Sequence, residues 1–273
     1  MRYKLIAIDM DGTLLNSQNK VSEKNKEVLF KAIDEGIHVV LSTGRILSSA
    51  LYYREKIGLK NPVIACNGAL ISSQKDIIYE NPMNIDSVNK VVEIAEEDNI
   101  YYHFYDTNTF YSKETDNRYF KHYQFYEDSL KKQSINLQLF KTPIGIFGEK
   151  KPTVYKFVFV EENTDKLLKF REKLSSIDGI NVSSSWHNNI EVMNEGVSKG
   201  TGLEHLIGKL NIDKSQVVAI GDNENDISMF KTAGLAIGMK NGAQNIKDCV
   251  HVVTDTNDQN GVGKAIEKYV LNK

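Results

Sequence analysis

The sequence predicts an α/β fold: a core built on a parallel sheet, interrupted by one large inserted α/β segment. Three observations lead there. Short apolar runs without polar alternation suit strands covered on both faces, and amphipathic stretches alternate with those runs. The residue texture changes near Asn81-Pro82, and the first pattern returns only after Trp186. This assigns 1–82 and 190–273 to a discontinuous core and 83–189 to the insertion. At 273 residues the chain is long enough for two such units.

The elements follow in order. Leu5 to Ile8 is a wholly apolar strand that stops on Asp9. Val21 to Glu35 has helical spacing, with Ser22 placed to cap it and Gly36 to stop it. Ile37 to Leu41 is a second strand ending at Ser42-Thr43-Gly44-Arg45, and a helical stretch follows to about Lys56. Pro62 to Cys66 is a third strand, ending at Asn67-Gly68-Ala69. Inside the insertion, aromatic residues crowd between Tyr101 and Tyr126. There Val88 to Glu97 reads as a helix, Tyr155 to Val160 as a strand and Asn163 to Ser175 as an amphipathic helix. The core grammar resumes with Ile190 to Met193, and a helix runs from Lys199 to about Leu210. Val217 to Asp222, Gly234 to Gly238 and Val250 to Val253 supply further core strands, and Gly261 opens a last helix.

Composition narrows the function classes. Lys plus Arg number 34 against 36 Asp plus Glu, a net charge of −2, which gives no electrostatic case for nucleic acid or an anionic membrane. The N-terminus enters a strand directly and no long apolar segment follows, so neither secretion nor membrane insertion is expected. Cys66 and Cys249 are far apart and in no paired motif, which suits buried thiols and a reducing cytoplasm. The six histidines show no metal-ligand spacing. Nothing calls for an obligate protein partner.

The polar residues at the strand ends carry the chemistry. In extended chain, residues two apart point the same way, so Asp9 and Asp11 share one side and Gly12 frees the turn that follows. Two carboxylates this close repel unless a cation joins them, and Mg2+ is the hard ion that carboxylates and water satisfy. Phosphoryl transfer needs a nucleophile, positive charge around the phosphoryl oxygens and a proton source for the leaving oxygen. Asp9 can attack and Asp11 can donate and later accept a proton. Thr43 offers a hydroxyl beside a backbone N–H, Lys199 a full charge, Asp222 a third carboxylate for the metal, and Asn225 a neutral hydrogen bond.

Taken in order, these residues resemble the haloacid dehalogenase superfamily. Asp9-Met10-Asp11-Gly12-Thr13 is similar to its first motif, Ser42-Thr43-Gly44-Arg45 to its second, Lys199 to its third, and Gly221-Asp222 with Asn225-Asp226 to its fourth. Asn67-Gly68-Ala69 and Gly196-Val197-Ser198-Lys199-Gly200 resemble the Cof branch of sugar-phosphate phosphatases. The resemblance implies a Rossmann-like core with a large inserted α/β cap that sets specificity. It also implies a Mg2+-dependent phosphomonoesterase acting on small phosphate esters, sugar phosphates foremost. By it, Asp9 is nucleophile and metal ligand, Met10 lends its backbone to phosphate, and Asp11 is the acid/base and a ligand through its carbonyl. Thr43, Gly44, Lys199 and Asn225 hold phosphate, and Asp222 completes the metal site.

Several readings stay open at this stage. Asp226 serves the metal, or steadies Lys199 or a loop. Arg45 binds substrate, or pairs with an exposed carboxylate. Asn67, Gly68 and Glu191 are supporting or substrate candidates, with Trp186 and His187 at the cap or its hinge. The same phosphoaspartate chemistry also serves a phosphosugar mutase or phosphotransferase, and a non-catalytic phosphate-binding module is the alternative from another class.

Overall fold

The computed structural model describes residues 2–73, 76–114 and 130–272. Two sheets organise them. The first has eight strands in the order β14-β13-β12-β1-β2-β3-β4-β5. Its parallel part comprises β1 (Leu5–Ile8), β2 (His38–Ser42), β3 (Val63–Ala65), β12 (Val217–Gly221), β13 (Leu235–Met239) and β14 (Val252–Thr254). Alternate residues of β1 enter two different cores. Ile6 and Ile8 pack with Val28 and Leu29 of α1 (Glu23–Asp34), whereas Leu5 and Ala7 pack with Leu203 and Leu206 of α5 (Lys199–Leu210). Burial on both faces is why these strands carry no polar alternation. Ser22 caps α1 as the sequence implies, accepting from the Asn25 N–H.

Helix α2 (Leu47–Ile57) follows the second motif and ends on Gly58 in the left-handed region. The hairpin of β4 (Leu70–Ser73) and β5 (Asp76–Glu80) extends the first sheet antiparallel and was not foreseen from the sequence. Three short helices, α6 (Ile227–Thr232), α7 (Gln244–Lys247) and α8 (Gly261–Ile266), complete this unit.

The second sheet runs β10-β11-β9-β6-β7-β8, formed by β6 (Tyr101–Tyr105), β7 (Thr109–Lys113), β8 (Asn136–Phe140), β9 (Lys156–Val160), β10 (Ile180–Ser183) and β11 (Asn189–Asn194). Its pairings are antiparallel except β7 with β8. Helices α3 (Ile85–Glu97) and α4 (Thr164–Ser175) cover one face, where Tyr102, Phe104, Phe157 and Phe159 are buried with Val91 and Phe170. The opposite face carries His103, Tyr105, Lys156, Val158 and Glu191, with Glu191 in register with Val158. Ile190 to Met193, read from sequence as the strand on which the core resumes, therefore lies in the second sheet. It pairs with β9 and β10, and the chain rejoins the first unit only after Asn194. The reason is general: an apolar run reports burial, not which strand lies beside it.

The aromatic-rich stretch of the insertion runs partly into 115–129, and with Tyr126 and His122 that part lies outside the described residues. The chain passes between the two sheets twice, near 81–84 and 194–198. At these crossings the Asn194 side-chain amide donates to Asn81 Oδ1 at 2.7 Å, and Met83 N–H donates to Val154 C=O at 2.8 Å. Among the described residues no helix is long and apolar enough to cross a membrane.

Candidate active site

Four parallel strands end side by side, and the site stands on their carboxyl edge. Ile8 is in register with Ile220 on one side and Leu41 on the other. Hydrogen bonds carry this alignment one residue past the strands: Asp9 N–H donates to Ile220 C=O at 2.9 Å and Thr43 N–H to Ile64 C=O at 2.9 Å. Asp9, Thr43, Asn67 and Asp222 thus emerge from β1, β2, β3 and β12 together, at the edge where open α/β sheets bind ligands.

Lys199 is the first residue of α5. A capping box fixes that end, with Ser198 Oγ accepting from Thr201 N–H and Thr201 Oγ1 accepting from Ser198 N–H. A cation at a helix N-terminus opposes the macrodipole, so something must hold it there. Two carboxylates do: Lys199 Nζ lies 2.5 Å from Asp9 Oδ1 and 2.6 Å from Asp226 Oδ1, with all three side chains buried. Burial opposes the Lys199 charge, but these two anions outweigh it and raise the ammonium above its usual range. Asp226 spends its other oxygen on the backbone N–H groups of Asp222 and Asn223, at 2.9 and 3.0 Å. It steadies both Lys199 and the loop.

Asp222 Oδ1 accepts from Thr13 Oγ1 at 2.5 Å. Gly12 makes this approach possible: its φ is +77°, and a Cβ there would stand 2.4 Å from Asp222 Oδ2. Crowding shows in the acidities. Burial, then Asp226, pushes the Asp222 carboxyl up to about 7. Burial also raises Asp9 well above the carboxylate range, against the pull of Lys199.

Asp11 stands apart from this cluster and is half-exposed on its side chain. Arg45 holds it with both forks, Nε to Oδ2 at 2.8 Å and Nη2 to Oδ1 at 2.6 Å, while the guanidinium lies over the Tyr53 ring at 4.7 Å. Burial would raise the Asp11 carboxyl, but Arg45 overrides it and keeps it below its ordinary value. Thr43 Oγ1 accepts from Arg45 N–H at 3.1 Å, and Met10 is fully buried with its carbonyl accepting from Leu15 N–H at 2.8 Å.

A cavity of about 340 Å3 lies between the two sheets, lined by Asp9, Asp11, Gly44, Arg45, Asn223 and Asn225 from below, while Thr43, Lys199 and Asp222 are not among its lining residues. From above come Tyr105, Lys156, Val158, Ser185, Trp186 and Glu191. Asn225 Nδ2 donates to Asn67 Oδ1 at 3.2 Å, and Asn67 Nδ2 donates to Glu191 Oε2 at 2.7 Å, so a single chain of bonds links the two walls. Asn223 Nδ2 also donates to Ser185 C=O at 2.8 Å, and Arg171 pairs with Glu224 across the gap. Gly68 and His187 are not among the lining residues. Gly68 instead packs its Cα against Gly202 of α5.

A profile of the haloacid dehalogenase-like hydrolases matches residues 6–266. The chain belongs to that family. The Bacillus subtilis phosphatase YwpJ is 31% identical over 280 residues, covering 95% of this chain and 97% of its own. From the same organism, the 5-amino-6-(5-phospho-D-ribitylamino)uracil phosphatase YcsE is 31% identical, covering 98% and 96%. The solved structure of a B. subtilis haloacid dehalogenase-like hydrolase superposes with a TM-score of 0.88 at 29% identity, covering 98% and 100%.

A divalent cation fits the donor set of this haloacid dehalogenase-like hydrolase. Among the described residues, one acidic cluster brings ligand atoms within 4.8 Å of one another, and it consists of Asp9, Asp222 and Asp226. With Asp226 committed to Lys199 and two backbone N–H groups, Asp9 and Asp222 are the side chains with oxygen to spare. Burial first, and then the neighbouring Asp226 carboxylate, raises the Asp222 carboxyl, and a cation beside it would oppose both effects. Sequence reasoning missed Thr13 as the partner of Asp222, and it missed Lys156, Ser185 and Tyr105 on the upper wall. The signal for Lys156 was its period-two alignment with Val158, opposite in sense to Phe157 and Phe159.

Proposed function

We propose that this chain is a Mg2+-dependent phosphomonoesterase of haloacid dehalogenase type, hydrolysing small phosphorylated metabolites, sugar phosphates foremost, through a phosphoaspartate on Asp9. The observation that carries this reading is Lys199 locked between Asp9 and Asp226, with Asp9 at the floor of the cavity. The buried ammonium orients the Asp9 carboxylate, and an oriented nucleophile is what in-line attack requires.

The Asp9 carboxylate attacks phosphorus, the bond to the ester oxygen breaks, and Asp11 supplies the proton that the departing alkoxide takes. Water then attacks the acyl phosphate while Asp11 takes back a proton, and the Asp9–phosphorus bond breaks to release inorganic phosphate. Lys199, the Thr43 hydroxyl, the Gly44 backbone and Asn225 stabilise charge on the phosphoryl oxygens. When bound by Asp9 and Asp222, Mg2+ supplies the positive charge that lets a phosphate dianion approach a carboxylate. Arg45 ties Asp11 in the substrate-free chain, and a phosphate ester competes for the same guanidinium fork, releasing Asp11 for proton transfer.

Family relatives bearing phosphatase names support the reaction, and the cavity volume supports a small leaving group. The test is hydrolysis of p-nitrophenyl phosphate with Mg2+ by the wild type and Asp9→Asn. Loss of roughly a thousandfold or more is expected for a missing nucleophile. Equal rates would remove Asp9 from the mechanism.

A further inference from the structure

Lys156 is a buried cation in the wall of the cavity for which the reaction just derived has no use. It begins β9, is 2% exposed, and lines the cavity with Asp9 and Asp11. Its one carboxylate partner among the described residues is Glu191, at 2.6 Å, with both side chains about equally buried. Glu191 is itself fixed from three directions, accepting from Lys156, from Asn67 at 2.7 Å and from Ser185 Oγ at 2.9 Å. An ammonium has three N–H donors. Glu191 takes one, the Tyr105 ring lies 5.4 Å away, and no further acceptor for Lys156 occurs among the described residues.

The position of this ammonium is set by glycine at the second motif. A Cβ on Gly44 would lie 2.9 Å from Asn67 Oδ1, 3.0 Å from Lys156 Nζ and 3.4 Å from Glu191 Oε1. Lys156 therefore reaches from the second sheet down to the loop that carries Thr43 and Gly44. Burying a charge with unused donors is costly unless a ligand completes them. The phosphoryl side already has Lys199, Thr43, Gly44 and Asn225 from the first sheet. Lys156 enters from the opposite wall, between Tyr105, Val158 and Trp186, where the organic part of an ester must lie.

We propose that Lys156 is a substrate-binding residue that donates to an oxygen of the leaving group, with Glu191 as its positioning residue. The site then selects phosphates of hydroxylated leaving groups over plain aryl or alkyl phosphates. This inference rests on the phosphatase reading of the cavity and adds to it which wall reads the alcohol.

The experiment uses the full chain with Mg2+ and compares the wild type, Lys156→Met and the double variant Lys156→Met with Glu191→Met, in which no charge is left unpaired. Ribose 5-phosphate, glucose 6-phosphate, glycerol 3-phosphate and ribitol 5-phosphate are ranked by kcat/KM, and the best is set against p-nitrophenyl phosphate. Both variants should lose about 10- to 100-fold on the hydroxylated substrate, because a site built to bond an oxygen is penalised when the bond goes. The loss on p-nitrophenyl phosphate, and any loss of competitive inhibition by inorganic phosphate, should be at least about tenfold smaller than the loss on the hydroxylated substrate. Equal losses on both substrates, phosphate inhibition weakened to the same extent, or a wild type that prefers p-nitrophenyl phosphate to every hydroxylated ester would overturn the assignment.

A second readout does not need turnover. The chain has a single tryptophan, Trp186, and it lines the cavity, so its fluorescence reports occupancy. The dissociation constant for the best hydroxylated phosphate should weaken about tenfold in both variants, and an unchanged constant overturns the role of Lys156. Tight wild-type binding without hydrolysis would sink the phosphatase reading and leave Lys156 standing.

Discussion

Replacing Asp222 by Asn removes one charge from the crowded acidic cluster and should stabilise the metal-free protein, by an amount that depends on pH in a definite sense. The Asp222 carboxyl is raised from 3.8 to about 7 by burial and by Asp226. A group raised on folding keeps its proton to higher pH in the native state than in the unfolded chain, so its ionisation costs stability as pH rises through that interval. At roughly 1.4 kcal/mol per pH unit the gap corresponds to at most about 4 kcal/mol, and movement of the charged side chains apart lowers the cost to about 2 kcal/mol. Asparagine keeps an oxygen for the Thr13 hydroxyl and carries no charge. The variant should therefore match the wild type near pH 4 and exceed it by about 4–8 °C in Tm above pH 7, using ~2–4 °C per kcal/mol for a chain of this size. The assay is thermal unfolding in a chelator from pH 4 to 8.5. Added Mg2+ should raise the wild-type Tm most at high pH and leave the variant unmoved. A variant less stable than the wild type at every pH, or more stable by a pH-independent margin, would refute the picture of mutually repelling carboxylates.

Three further outcomes are expected. Thr13→Val removes the hydroxyl that orients Asp222 and should weaken Mg2+ activation about 10- to 100-fold, read from the Mg2+ dependence of the rate. Gly44→Ala forces a methyl against Asn67 Oδ1 and Lys156 Nζ and should cost about 1–3 kcal/mol in urea unfolding. Glu191→Ala leaves the Lys156 ammonium buried and unpaired and should cost about 3–5 kcal/mol by the same measurement, while the double methionine variant should cost less, about 1–3 kcal/mol, because only Asn67 and Ser185 lose an acceptor. Burial would raise the Glu191 carboxyl, but Lys156 holds it below its ordinary 4.5; the stability it contributes is complete above that value and is lost as pH falls through the lowered one.

The first sheet was readable because each parallel strand is covered on both faces and ends on a polar residue, so Asp9, Thr43 and Asp222 mark strand ends that meet at the candidate site. Asn67 adds a left-handed backbone, φ +55°, that its Asn-Gly sequence suits. The hairpin Leu70–Ser73 with Asp76–Glu80 was missed because its second strand is mostly half-exposed or more and so lacks the wholly buried apolar run of the parallel strands. Ile190 to Met193 was read as a strand correctly but placed in the wrong sheet. Lys156 escaped notice because a lysine in an apolar strand ordinarily faces water; only the stacking of one sheet over the edge of the other buries it. Arg45 was read two ways from sequence, and its pairing with Asp11 depends on a helix start and a strand end meeting in space, which no local pattern encodes.

The hydrogen bond from the Asn194 side-chain amide to Asn81 has a consequence for how such a molecule diversifies. A module whose two ends enter and leave side by side can be lengthened, trimmed or grafted for another without disturbing the register of the strands beneath, since closing so short a gap costs little entropy. Such an exchange would change the residues that line the cavity from above while the acid cluster in the floor stays as it is.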